Sequence, residues 1–307
     1  MIRAIVLGAA AGGAFPQWNS NAKACQRARA GDPLAPSRTQ ASLAVSADGR
    51  NWALLNASPD MRQQIEQTPV LHPQAGLRSS PIAAVVLTGG DVDAIAGLLT
   101  LRERQPFTVL ATSTVQAVLD TNPIFEVLNR AIVTRRQLEL GVTMPLPLPD
   151  GRPCGLTVEL FAVPGKVPLY LEASDEMPVF QEDGTTVGAA VSDGNATLFY
   201  IPGCAVMTRR LADRLRGAAA VFFDGTLWSD NEMVSAGLGP KTGRRMGHMS
   251  VSGPDGTLAA FQGLNVRRRV LMHINNSNPI LLEDSPERAV VNAAGWEVAW
   301  DGMEVRL

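Results

Sequence analysis

Three places along the chain put a carboxylate or an imidazole directly after an apolar run that has the makings of a buried strand. Ile82-Ala83-Ala84-Val85-Val86-Leu87 leads into Thr88-Gly89-Gly90-Asp91-Val92-Asp93. Ala220-Val221-Phe222-Phe223 leads into Asp224-Gly225-Thr226, and Val270-Leu271-Met272 into His273-Ile274-Asn275-Asn276. Sites in α/β folds collect where core strands emerge. Two carboxylates and a histidine brought together there would hold a hard or borderline divalent cation such as iron, manganese or zinc. Each residue alone has an ordinary explanation: Asp91 or Asp93 as a helix cap, Asp224 as the opening of a turn. Three such strand ends in one chain point to a shared site. Its candidate members are Asp91 or Asp93, Asp224 and His273.

His248, in Arg244-Arg245-Met246-Gly247-His248, has the titration range of a general acid or base and also suits a loop residue that caps a helix. His72 before Pro73 reads as a surface residue. The spacing of Gly8, Gly12 and Gly13 is neither a dinucleotide fingerprint nor a phosphate-binding loop. Cys25, Cys154 and Cys204 have no C-x-x-C spacing and read as small buried residues.

The elements that must position these groups follow from the apolar pattern. A strand is expected over residues 1–8, a hairpin over 41–56 with Asp48-Gly49 as its turn, and a helix start at Ser58-Pro59-Asp60, with Ser58 as its cap and Asp60 suited to the helix dipole. Buried strands are expected at 82–87, 107–111, 219–223 and 269–274, with further strands near 156–163, 196–201 and 297–307. Helices are expected after residue 91, near 113–130, over 207–216 and near 286–294. A polar segment lies around Glu172–Gly184. Met144–Pro153 is a short connection inside one domain covering 1–307. Strands alternating with helices, with early hairpins, indicate an α/β chain whose sheets are mixed.

Composition narrows the function classes. The 307 residues carry 27 Lys+Arg against 29 Asp+Glu, a net charge of −2, which leaves no electrostatic footprint for nucleic acid. With 46% hydrophobic and 18% charged residues the chain can build a large core and is not disordered. No apolar run approaches the roughly 18 residues of a membrane span. Residues 1–13 lack the pattern of a signal peptide, so a cytoplasmic location is expected.

These segments resemble the metallo-β-lactamase superfamily, and within it the pyrroloquinoline quinone (PQQ) biosynthesis protein B family. The likeness runs over nearly the whole chain. It rests on Gly12-Gly13, Phe15-Pro16-Gln17-Trp18-Asn19, Asn56-Ala57-Ser58-Pro59-Asp60, Thr88, Gly90-Asp91-Val92-Asp93 and Val163-Pro164-Gly165-Lys166. It continues through Tyr200-Ile201-Pro202-Gly203-Cys204, Asp224-Gly225-Thr226, Lys241-Thr242-Gly243-Arg244-Arg245-Met246-Gly247-His248 and His273-Ile274-Asn275-Asn276. It implies a four-layer αββα sandwich with two mixed sheets and a divalent metal, iron or zinc, held by Asp93, Asp224 and His273 with Asp91 as a weaker fourth ligand. The implied activity is metal-dependent oxidation of a tyrosine-derived ring in a PQQ precursor. His248 is the expected catalytic residue; Lys166, Arg245, Trp18 and Asn275 are the expected substrate contacts. The partner is a small molecule or short peptide, with neither nucleic acid nor membrane.

Two departures accompany the likeness. The family's Cys-x-Cys-x-x-Cys zinc knot falls on Ser20, Ala22 and Cys25, so this loop is expected to be free of zinc. The histidine that follows the signature aspartate falls on Ala94. A three-ligand centre predicts weak metal loading, and it keeps a second reading open: a binding or carrier protein for PQQ or its precursor. A generic metallohydrolase is a third, disfavoured because Gly89 and Asp91 stand where such enzymes carry histidines.

Overall fold

Fourteen strands form two seven-stranded sheets in this computed structural model, which describes residues 1–307 apart from 174–177 and 179. The first six are β1 (Arg3–Gly8), β2 (Ser42–Ser46), β3 (Trp52–Leu55), β4 (Ile82–Val86), β5 (Phe107–Ala111) and β6 (Val133–Gln137). Next come β7 (Met144–Pro147), β8 (Pro153–Ala162), β9 (Val187–Ser192) and β10 (Thr197–Ile201). The last are β11 (Ala220–Asp224), β12 (Arg268–Met272), β13 (Glu297–Val298) and β14 (Glu304–Arg306). One sheet has the order β14-β1-β2-β3-β4-β5-β6 and the other β13-β12-β11-β10-β9-β8-β7. In the first, the pairs from β14 to β3 are antiparallel and those from β3 to β6 parallel. In the second, the pairs from β7 to β10 are antiparallel and those from β10 to β13 parallel.

Alternation along the strands builds the layers. Ala4, Val6, Leu43, Val45, Ala84 and Val86 turn inward to meet Leu156, Val158, Leu160, Tyr200 and Phe222 from the other sheet. Their neighbours Ile5, Leu7, Leu54 and Val85 turn outward under Met61, Leu98, Val115 and Leu119. On the other side Phe161, Val221, Phe223 and Leu271 lie under Cys25, Leu211, Leu215 and Val291. Helix, sheet, sheet, helix is the architecture that the resemblance implies. Burying each large side chain in these layers contributes about 1.5–3 kcal/mol.

The differences from the sequence reading have local causes. Ser58 does not cap the following helix, which starts at Met61; its hydroxyl meets Gln64 Oε1 at 3.0 Å. Asp60 does stand at the helix start, and its Oδ2 accepts from the backbone and side-chain nitrogens of Gln40 rather than from the helix. The helix expected near 113–130 covers Ser113–Thr121, and Pro123 opens a separate 3₁₀ turn. Met144–Pro153 is not a plain connection: Met144–Pro147 is an edge strand, where prolines are tolerated because one side needs no donors. The closing strand is two short ones in different sheets, split by a turn at Asp301-Gly302. Strands β6 and β9 were not expected. Of the polar segment around 172–184, residues 174–177 and 179 lie outside the described residues. No helix among the described residues is long and apolar enough to cross a membrane.

Candidate metal centre

Strands β4, β11 and β12 all end at one cleft between the sheets. β4 is buried along its whole length and passes into Thr88-Gly89-Gly90 before a helical turn at Val92–Ile95. Asp91 stands at the cap position of that turn without a side-chain cap bond. Asp93, inside the turn, places Oδ2 2.8 Å from His273 Nε2. His273 follows β12 with φ of 57°, a left-handed conformation uncommon outside glycine, which turns the imidazole back across the strand ends. His248 arrives from a separate helix, Gly243–Met246. Gly247, with φ of 86°, ends that helix and lets the next residue face inward.

Asp224 is fully buried at the base of the centre. Its Oδ1 accepts from the Thr226 amide at 3.0 Å and the Thr226 hydroxyl at 2.6 Å. Its Oδ2 accepts from the Cys204 amide at 2.9 Å and lies 2.7 Å from His248 Nδ1. The Thr226 hydroxyl also sits 3.1 Å from His248 Nδ1 and 2.9 Å from His273 Nδ1, so one side chain braces both rings. The rings stack with centroids 5.2 Å apart.

Burial pushes the Asp224 carboxyl up, but the two imidazoles and Thr226 outweigh it and hold it below the ordinary value. Burial likewise raises Asp93, and the bond to His273 more than reverses that. Burial lowers His273, yet the surrounding carboxylates, Asp93 first, raise it overall. Asp91 is raised, by burial and then by the charge of Asp93.

Asp224, His248 and His273 offer ligand atoms within 4.8 Å of one another. Bonds of about 2.0–2.2 Å to a common ion put neighbouring donors roughly 3–4 Å apart. The Asp93–His273 contact and this span bracket that value. Two imidazoles with flanking carboxylates are a donor set suited to zinc or iron.

Of the expected ligands, Asp93 and Asp224 both reach His273, each by direct contact or through Thr226. Asp91 lines the same cavity. His248, expected as a catalytic residue at the rim, stands among the donors. Asn275 lines the cavity and bonds Ser277. Trp18 is 86% exposed and does not line it. Lys166 lines the cavity and Arg245 is buried behind it, and both pair with Glu172. Cys25 is buried, 3.7 Å from Asn276 Oδ1. The loop before it is tied by Arg29, which donates to the carbonyls of Ser20 and Gln17.

Sequence reasoning gave no role to Thr226, Asn56, Glu172 or Lys241. All four lie in segments already singled out, yet nothing in their types distinguishes a brace or a buried ion pair from a turn or surface residue. The cavity has a volume of about 580 Å³.

A sandwich of two such sheets with donors at the strand ends defines the β-lactamase superfamily, and the profile of that domain matches residues 51–274. More narrowly, the chain belongs to the coenzyme PQQ synthesis protein B family. It is 65% identical over 305 residues to the coenzyme PQQ synthesis protein B of Gluconacetobacter diazotrophicus, with 99% of both chains covered. The Gluconobacter oxydans protein of that name is 55% identical over 307 residues, covering 100% of this chain and 99% of its own. The crystal structure of Zn²⁺-bound PqqB from Methylobacterium extorquens superposes with a TM-score of 0.95 at 50% identity, covering 99% of this chain and 100% of the other. A diphosphatase of the PhnP family, at 18% identity and a TM-score of 0.69, shares the fold.

Proposed function

We propose that the chain is a cytoplasmic, metal-dependent oxygenase of PQQ biosynthesis that hydroxylates a tyrosine-derived ring in a small-molecule or short-peptide precursor. The observation that carries this reading is the meeting of Asp93, Asp224, His248 and His273 beside one cavity. The family, and the zinc in the 50% identical relative, support a divalent cation here. Iron or zinc held by the two imidazoles and the carboxylates would supply Lewis-acid chemistry, and iron would add redox chemistry with dioxygen.

The chain's own residues orient and exclude. Thr226 and Asp224 keep the imidazoles from rotating, so the donors stay preorganised. Asn275 and Lys166 present polar contacts to a ligand in the cavity, while Ala94 and Leu169 give apolar wall. In the overall change a ring C–H becomes C–OH. One oxygen atom enters the product, and the other leaves as water with two electrons from the substrate or an external reductant.

The test is anaerobic loading of metal-free protein with Fe²⁺ or Zn²⁺, followed by oxygen and the pathway precursor. A product heavier by one oxygen, absent for His273→Ala, is the expected result. Tight precursor binding with no oxygen gained under either metal would sink the oxygenase reading. It would favour the carrier, for which Ser20, Ala22 and Ala94 speak.

A further inference from the structure

Behind the cavity wall a row of side-chain hydrogen bonds runs in one direction and ends on a carboxylate outside the candidate metal centre. Cys25 Sγ lies 3.7 Å from Asn276 Oδ1. Asn276 Nδ2 donates to Asn275 Oδ1 at 3.2 Å and to Gln17 Oε1. Asn275 Nδ2 donates to Ser277 Oγ at 2.5 Å, and the Ser277 hydroxyl donates to Glu232 Oε1. The other oxygen, Glu232 Oε2, accepts from the Trp228 amide at 2.6 Å. Glu232 opens the helix Glu232–Ser235 and does not line the cavity, whereas Asn275 lines it and is 8% exposed.

The direction follows from the last member. Each Glu232 oxygen takes a protein donor, the pattern of a carboxylate. A carboxylate only accepts, so the Ser277 hydroxyl donates to it and is left to accept. Ser277 therefore takes an N–H, and this sets the Asn275 amide with Nδ2 toward Ser277 and Oδ1 toward Asn276. An amide without such neighbours can turn over and exchange its donor for its acceptor. With Oδ1 and one Nδ2 hydrogen engaged, the second Nδ2 hydrogen is what Asn275 has left to give a ligand.

We infer that Glu232 is a positioning residue, which through Ser277 holds the Asn275 amide so that it offers a donor to an oxygen atom of the ligand in the cavity. The ligand class selected carries a carbonyl, carboxylate or phenolate oxygen at that point of the wall. This rests on the proposed reading in taking the cavity as the ligand site, and it needs no oxygen chemistry there. Glu232→Gln reverses the row. The Trp228 amide keeps the glutamine oxygen as its acceptor, so Nε2 faces Ser277 and donates. The Ser277 hydroxyl then donates to Asn275, the Asn275 amide turns over, and its Nδ2 meets Asn276 Nδ2, donor against donor.

Two measurements on the zinc-loaded full chain test the role. The first is the side-chain amide signal of Asn275 in ¹⁵N NMR, identified by its loss in Asn275→Asp. The proton that bonds Ser277 is expected downfield in wild type and moved upfield in both Glu232→Gln and Ser277→Ala. The second is calorimetric binding of benzoate, a ring with an oxygen acceptor. Each single variant is expected to bind about fivefold more weakly, the loss of one hydrogen bond, and the double variant no more weakly than either. Zinc affinity is expected to be unchanged, because no donor to the metal is touched. Unmoved Asn275 signals in a folded Glu232→Gln, or equal benzoate affinity in wild type and both single variants, would overturn the inference. A fall in zinc affinity as large as that for benzoate would make Glu232 a general brace of the site and overturn it too. Failure of the oxygenase reading would be seen instead in the iron assay, with these results unchanged.

Discussion

His248 would change the donor count of the candidate centre. Asp93, Asp224 and His273 alone are three donors, and with alanine at 94 that number predicts weak loading. The His248 imidazole, within 4.8 Å of its neighbours' ligand atoms, supplies a second ring from an unrelated part of the chain. His248→Ala is therefore expected to lower zinc affinity by at least about 10–100-fold, the range seen even for outer partners of metal sites. Ala94→His, at a position that borders the cavity but is mostly packed in the apolar layer under β4, should change affinity less than that. Competition with a fluorescent chelator reads both. A variant at 248 that keeps full affinity would show that the ring is not a donor.

Glu172 makes a separate prediction about acid. Its folded value, about 2, lies below the ordinary glutamate range near 4.3. A depressed carboxyl stabilises the fold above its unfolded value, and that contribution is lost as pH falls toward the folded one. The gap in melting temperature between wild type and Glu172→Gln should be fullest above about pH 5 and shrink from about pH 4 to pH 2. A gap that widens in acid would reverse the assigned sign.

At the scale of elements, the centre depends on how β4 is held where it emerges. Asn56, at the end of β3 with φ of 62°, accepts from the Thr88 amide at 2.8 Å through Oδ1 and reaches the Thr88 hydroxyl at 2.9 Å through Nδ2. Its Nδ2 also lies 3.4 Å from the buried Tyr200 hydroxyl, so one amide links both sheets below the donors. Asn56→Ala leaves buried groups unpaired and puts a residue with a poor left-handed propensity there. It should cost about 2–4 kcal/mol in urea unfolding. Asn56→Gly should lose less, because it relieves the backbone part.

The same stretch marks how far the sequence could be read. The apolar runs at 82–87 and 219–223 announce buried strands because every face of them is covered. The residues that follow announce a site. The polar edge strand β6 (Val-Thr-Arg-Arg-Gln) and the proline-bearing β7 carry little such signal, since an edge strand is half solvated. Ser58 reads as a cap and Asp60 as a charge suited to the helix start because both rules are local, and other partners, Gln64 and Gln40, took them instead. His248 could not be placed among the donors from its neighbours. Its position depends on a helix that ends at Gly247 and docks across the chain.

For the molecule as a whole, the two sheets repeat one plan: three antiparallel pairs, then three parallel pairs. On that plan β4 matches β11 and β5 matches β12. The Asp93 turn therefore follows β4 and Asp224 ends β11, equivalent strands, one from each half. The sequence carries no visible repeat, because what the halves share is strand order and direction rather than residue type. The cleft lies where the two sets of parallel strands end side by side: the second half brings Asp224, His248 and His273, and the first adds Asp91 and Asp93. β14 is the exception in chain order. It closes the first sheet after the second has been completed.

That late strand brings the last residue beside the first. The Ile2 amide donates to the Leu307 carbonyl and the Leu307 amide to the Ile2 carbonyl, each at 3.0 Å. A short linker could join these ends, and the exposed stretch 139–143 between β6 and β7 offers a place to open the chain. The rearranged gene would begin at β7 and read seven strands straight across one sheet, then β14, β1 and onward straight across the other. This permutant should fold to the same sandwich and keep its zinc affinity within a few-fold of the original. In it the old C-terminal strand becomes an ordinary first strand. Synthesised in that order, either sheet would emerge from the ribosome as one uninterrupted unit.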